Sequence, residues 1–134
     1  MKSMTLIISL SVASLSSAVA ANTDLTQLIE SYQAGSSTLP DAKKGQQLWN
    51  KKFTGKAPYT ERSCQTCHSS NLKQNGQHIR TKKIIKPLAP SVNNESLAKA
   101  KKVKKWLKRN CKWTLGRECS NQEKVNLLTF LKQQ

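Results

Sequence analysis

The chain has 134 residues, room for one small domain and no more. Its 23 Lys and Arg against 7 Asp and Glu give a formal net charge of +16, which calls for an acidic partner surface, nucleic acid or anionic lipid, or else a solvated face. No stretch beyond the N-terminal segment approaches membrane-spanning length, and no aromatic-interleaved platform for nucleic acid is visible.

The first twenty residues read as a secretory signal. Lys2 gives a positive start, Leu6 to Leu15 is an apolar run broken only by Ser, and Ala18-Val19-Ala20 is a small-x-small cleavage site. The run is too short and serine-rich to suit a membrane anchor. Cleavage after Ala20 or Ala21 leaves residues 21–134 as a single soluble, periplasmic domain.

Asn22 to Ala34 carries a short helical pattern, capped by Thr23 or Asp24, with Leu25, Leu28 and Ile29 on one face and Gly35 as its stop. Asp41 is a good N-cap after Pro40, and the spacing predicts a helix to about Phe53. Gly45, Trp49 and Phe53 lie four apart on one face of it. A Gly one turn before an aromatic lets a second helix approach closely, though ordinary core positions would read the same way. Thr54 to Ser63 is expected to be loop.

That loop leads into Cys64-Gln65-Thr66-Cys67-His68, a Cys-x-x-Cys-His run. The order is that of a c-type haem attachment. Two thiols two residues apart each add across one haem vinyl group, and the following imidazole becomes the proximal iron ligand. Half of a zinc site is the plainer alternative, but a closed structural site needs four ligands, and Cys111 and Cys119 do not form a second such pair. A thioredoxin-like dithiol needs strand–helix alternation around it, which is missing. The reading is one covalent haem c on Cys64 and Cys67, with His68 as the iron ligand.

Ser69 to Pro90 has little periodicity. Gly76, Pro87 and Pro90 punctuate it, and Arg80, Lys82, Lys83 and Lys86 crowd it with charge. Such a segment suits a chain wrapping a haem edge, its cations meeting haem propionates or simply solvent. A third helix is expected from about Asn94 to Asn110, capped by Asn94 or Ser96, with Leu97, Ala100, Val103, Trp106 and Leu107 in three-and-four spacing. Ser120-x-x-Glu123 opens a last helix with a capping-box pattern. This helix would pack on the one bearing Gly45 and Trp49. No strand is compelling, and the fold class is a small all-α domain around one haem. Cys111 and Cys119 permit one pairing, expected as a disulfide in an oxidising compartment and worth roughly 2–3 kcal/mol.

The sixth ligand decides the function. The only methionines, Met1 and Met4, fall in the signal, so a methionine-ligated carrier is excluded. His78, a lysine, Asn110 or water remain. His78 lies in a basic loop ten residues after His68 and reads as a solvent-facing loop residue. Asn110 follows Trp106 by four positions and Leu107 by three, so it points with the apolar stripe. A carboxamide oxygen is a hard, weak donor that prefers ferric iron, and reduction should release it. Asn110 ending the helix as a cap is the alternative.

Trp106-Leu107-Lys108-Arg109-Asn110-Cys111, then Leu115-Gly116-Arg117-Glu118-Cys119 and Glu123-Lys124, resembles the SHP family (sphaeroides haem proteins), an oxygen-binding branch of class I cytochromes c. Pro87-Leu88-Ala89-Pro90-Ser91 and the Cys64–His68 motif follow in the same order, and the likeness spans roughly residues 40 to 133. The resemblance implies a class I cytochrome c-like helical domain with one covalent haem and His68 as proximal ligand. It implies Asn110 as a distal ligand that leaves on reduction, a Cys111–Cys119 bridge, and O2 and NO as ligands of the ferrous haem. It also implies a di-haem cytochrome c as electron donor, which suits an acidic partner. One departure is Thr81-Lys82-Lys83, where the family has Thr-Gly-Lys.

Two other readings stand beside this one. A plain electron shuttle would keep a closed six-coordinate haem, through His78. An oxidase or peroxidase would need distal acid–base groups, and the sequence does not place Arg109 or Arg117 near the ligand side.

Overall fold

In the computed structural model, residues 23–134 are described; the expected signal segment lies outside them. Four longer helices and one short one carry the fold, in the order α1 Thr23–Gln33, α2 Ala42–Asn50, α3 Gln65–His68, α4 Ala100–Leu115 and α5 Asn121–Lys132. Two small antiparallel pairs interrupt them: β1 Phe53–Thr54 with β2 Glu61–Arg62, and β3 Gly76–Gln77 with β4 Ile84–Ile85.

α5 starts where Ser120 and Glu123 satisfy each other's backbone amides in a full capping box. It buries Val125, Leu127, Leu128, Phe130 and Leu131. α2 is capped by the Asp41 carboxylate, which accepts from the Lys44 amide at 3.0 Å, and crosses α5 at Gly45. A Cβ on Gly45 would fall on the Asn126 carbonyl and stand 2.9 Å from the Phe130 Cβ, so here only glycine allows the two backbones to meet. Asn126 secures the crossing, its side-chain oxygen accepting from the Asp41 amide at 2.9 Å. The core divides in two. One cluster joins Trp49, Leu72, Ala89, Cys111, Leu127 and Phe130 around this crossing. The other seats Leu25 and Leu28 of α1 against Val103 and Leu128.

Three boundaries differ from the sequence expectation. α2 stops at Asn50, with Lys51 extended, and Phe53 turns into β1 opposite Arg62 instead of adding a helical turn. The stretches read as loop before and after the haem motif each hold a hairpin. α4 begins six residues later than expected and runs five further. Leu97 sits at φ 60°, which an α-helix does not accommodate, and the Ser96 hydroxyl donates to the Leu88 carbonyl at 2.5 Å instead of capping. The helix ends at Gly116, whose φ of 76° is the left-handed C-terminal conformation. Asn110 is thus an interior residue of α4, not its cap.

Candidate functional site

α3 is a single turn that sets the motif's geometry. The His68 amide donates to the Cys64 carbonyl at 3.2 Å and the Cys67 amide to the same oxygen at 3.4 Å. This stacks both cysteines and the histidine on one turn. Ser69, at φ 66°, ends it. Beneath the turn lies Gly76 of β3. A Cβ there would strike the Cys67 carbonyl and stand 2.9 Å from the His68 Cα. The β3–β4 hairpin therefore presses its backbone against the last two motif residues, through a glycine that reads in sequence only as punctuation.

The His68 ring packs against the Trp49 indole, centroids 5.5 Å apart and planes tilted by 49°. Burial pushes the His68 pKa down to about 4, because an imidazolium cannot be solvated there. The side chain is a neutral imidazole at physiological pH, the form that ligates a metal. Desolvation likewise pushes the Cys64 thiol up to about 12. Cys64 and Cys67 are free of disulfide; Cys111 and Cys119 are joined to each other, with Cα atoms 5.5 Å apart.

At roughly 100° per residue, α4 divides into three stripes. Ala100, Val103, Leu107, Cys111 and Thr114 turn into the core. Lys101, Lys104, Lys108 and Lys112 run along one flank, passing into Lys105, Arg109 and Lys102 on the side away from the core. Trp106, Asn110 and Trp113 run along the other flank. Asn110 is exposed on this flank, and the Trp106 ring is 46% exposed, large for an indole set between two buried turns. The flank is turned toward the approach to the haem motif. Arg62, two residues before Cys64, donates from Nη1 to the Trp113 carbonyl at 2.8 Å, and its guanidinium lies 4.8 Å from the Trp113 ring centroid. Sequence reasoning overlooked Arg62, since its partner is 51 positions away.

The remaining candidates are placed as follows. His78 Nδ1 accepts from the Thr81 amide at 3.1 Å, closing the β3–β4 turn. Arg117 is bidentate to the Glu123 carboxylate, both contacts at 2.7 Å. Arg109 stacks on Trp106 at 5.2 Å. An open cavity of about 330 Å³ between α3 and the β3–β4 hairpin is bordered by Cys67, Gly76, Ile79 and Lys82, but by neither His68 nor Asn110.

These residues fit a haem. Two thiols and a neutral imidazole share one turn. Trp49 Nε1 is buried with no hydrogen-bond partner among the described residues, and Trp106, with Arg109 over its ring, still leaves 46% of its surface exposed. A helical fold carrying such a motif defines a cytochrome of the c type with one covalently bound haem. Residues 35–131 match a family described as a domain of unknown function, DUF1924. The chain is 41% identical over 114 residues to the cytochrome c-type protein SHP of Cereibacter sphaeroides, covering 85% of this chain and 87% of that one. It is 37% identical over 93 residues to cytochrome c'' of Methylophilus methylotrophus, covering 69% and 63%.

The fold matches oxidised SHP, described as an oxygen-binding cytochrome c, with a TM-score of 0.74 and 39% identity over 82% of this chain and 96% of that one. It matches oxidised cytochrome c'' with a TM-score of 0.72 and 31% identity over 84% and 95%. The chain belongs to the DUF1924 family, within the SHP-type c cytochromes.

Proposed function

We propose that the protein is an exported, periplasmic mono-haem cytochrome whose haem is anchored on Cys64 and Cys67, ligated by His68 and closed in the ferric state by Asn110. When bound, the haem supplies a one-electron ferric/ferrous couple and, in the ferrous state, a position for O2 or NO. The chain's own residues do the rest. His68 offers a lone pair kept free of protons by burial. Asn110 offers a hard carboxamide oxygen, suited to ferric iron and poorly held by ferrous, so it would be released on reduction and leave the position open.

The observation that supports this reading best is the α4 flank. Asn110 stands on it between two tryptophans, and Arg62 ties that flank to the segment entering Cys64. The sequence holds no methionine beyond Met4, and His78 spends its Nδ1 on its own turn. The basic side of α4 suits an acidic redox partner, a di-haem cytochrome c being the donor the family resemblance implies. No helix of the described residues is long and apolar enough to cross a membrane.

The test is Asn110→Ala. It should change the ferric spectrum and raise the midpoint potential; an unchanged spectrum and potential remove Asn110 from the iron.

A further inference from the structure

The β1–β2 hairpin is shaped around one side chain. Arg62 donates from Nε to the Tyr59 carbonyl at 3.0 Å, from Nη1 to the Trp113 carbonyl at 2.8 Å and from Nη2 to the Lys56 carbonyl at 3.2 Å. A Cβ on Gly55 would collide with Arg62 Nε and lie 2.7 Å from its guanidinium carbon, so Gly55 leaves room for the fork. Trp113 covers one face of the guanidinium, and Tyr59 packs against Trp113 at 6.4 Å. Among the described residues no carboxylate pairs with Arg62.

Its acceptor on α4 is informative. The last carbonyls of a helix have no intrahelical donor, and the Trp113 carbonyl is one of these, two residues before the helix ends at Leu115. A cation there also meets the negative end of the helix. A planar fork with three directed donors does this where an ammonium cannot. Arg62 thus joins the strand that leads into Cys64 to the final turn of α4, three residues past Asn110 on the same flank.

We infer that Arg62 is a positioning residue for the distal ligand: it sets how far the end of α4, and with it Asn110, stands from the haem motif. This rests on Asn110 being the distal ligand. The role differs from simple stabilisation, because loosening the clasp would lower the fraction of ferric protein with Asn110 engaged while the thioether anchors and His68 stay in place.

The experiment compares R62M and R62K with N110A, all as haem-loaded protein. R62M removes the charge, and R62K is a milder change that keeps the charge but loses the fork and the stack. The ferric absorption and electron paramagnetic resonance spectra are recorded, with hydrogen exchange of the α4 amides at residues 110–115. The ferric spectrum of R62M should move at least halfway toward that of N110A, that of R62K part of the way, with haem content unchanged and exchange at the end of α4 at least ten-fold faster.

Wild-type ferric spectra in both Arg62 variants, with N110A altered, would overturn the clasp and leave the ligand assignment standing, whatever the loss of thermal stability. A wild-type spectrum for N110A itself would overturn the ligand assignment and the clasp together. Should R62M not yield folded protein, R62K decides the question by the same comparison.

Discussion

The Trp49 indole and the His68 imidazole stand 5.5 Å apart, centre to centre, and the same indole meets Phe130 of α5 at 6.3 Å. One aromatic thus connects the α2–α5 crossing to the turn bearing His68, the proposed iron ligand. Trp49 is 6% exposed. Trp49→Ala should cost about 3–5 kcal/mol, the usual range for emptying such a site. Trp49→Phe keeps a ring in place and should cost under half of that. Chemical denaturation of the haem-loaded variants, followed by circular dichroism, checks both.

Two glycines are expected to be intolerant for a shared reason. Gly45→Ala would put a methyl group on the Asn126 carbonyl, and Gly76→Ala would put one on the Cys67 carbonyl. In each case the obstacle is backbone, which cannot rotate away, so about 1–3 kcal/mol is expected for either. The consequences diverge in the visible spectrum. Gly76→Ala should perturb the haem, because His68 must shift, whereas Gly45→Ala should lower the unfolding midpoint with little spectral change.

Acid should act through His68. Its pKa is about 4 in the folded chain, against about 6.5 for an unperturbed histidine. Between these values the unfolded chain binds the extra proton, so stability falls as pH drops from about 6.5 to about 4 and is fully present above 6.5. The loss attached to this group is on the order of 3 kcal/mol. Iron on the imidazole, as proposed, would compete with the proton and move its uptake lower still. With His68 on the iron as proposed, the ferric spectrum should hold its His68 signature at pH 5, and loss of that signature above pH 5 would contradict an imidazole that resists protonation.

Lys82 occupies the turn between β3 and β4 at φ 60°, at the position where the family pattern carries glycine. A left-handed backbone at a residue with a Cβ costs of order 1–3 kcal/mol, and part of any relief is lost to the greater freedom of glycine in the unfolded chain. Lys82→Gly should therefore stabilise the protein by about 0.5–1 kcal/mol. The check is the shift of the denaturation midpoint at unchanged slope.

The parts of this molecule that were legible beforehand are those whose signals are local. The order Cys64, Cys67, His68 states its chemistry within five residues, Ser120 and Glu123 announce the start of α5, and Gly45 with Trp49 reveals a helix crossing at one turn's spacing. The parts that were not legible depend on distant partners. The stretch 94–99 has helical periodicity, yet Ser96 is engaged by the Leu88 carbonyl and Leu97 is held at positive φ. Phe53 continues the α2 pattern but pairs across to Arg62. Gly76 and Arg62 look unremarkable in sequence because what they touch, the Cys67 carbonyl and the Trp113 carbonyl, is tertiary. The heading of Asn110 was misread: its spacing from Trp106 and Leu107 placed it with the apolar stripe toward the core, whereas it is exposed on the flank beside that stripe.

The measurement that tests the central claim most directly is the visible absorption spectrum of the purified haem protein, ferric and then ferrous, before and after adding CO or NO. A high-spin ferrous spectrum that shifts when gas is added is predicted, since Asn110, as the proposed distal ligand, would leave the iron on reduction. A sharp low-spin spectrum in both states, indifferent to gas, would contradict it and return Asn110 to an ordinary helix position and the protein to a closed electron shuttle.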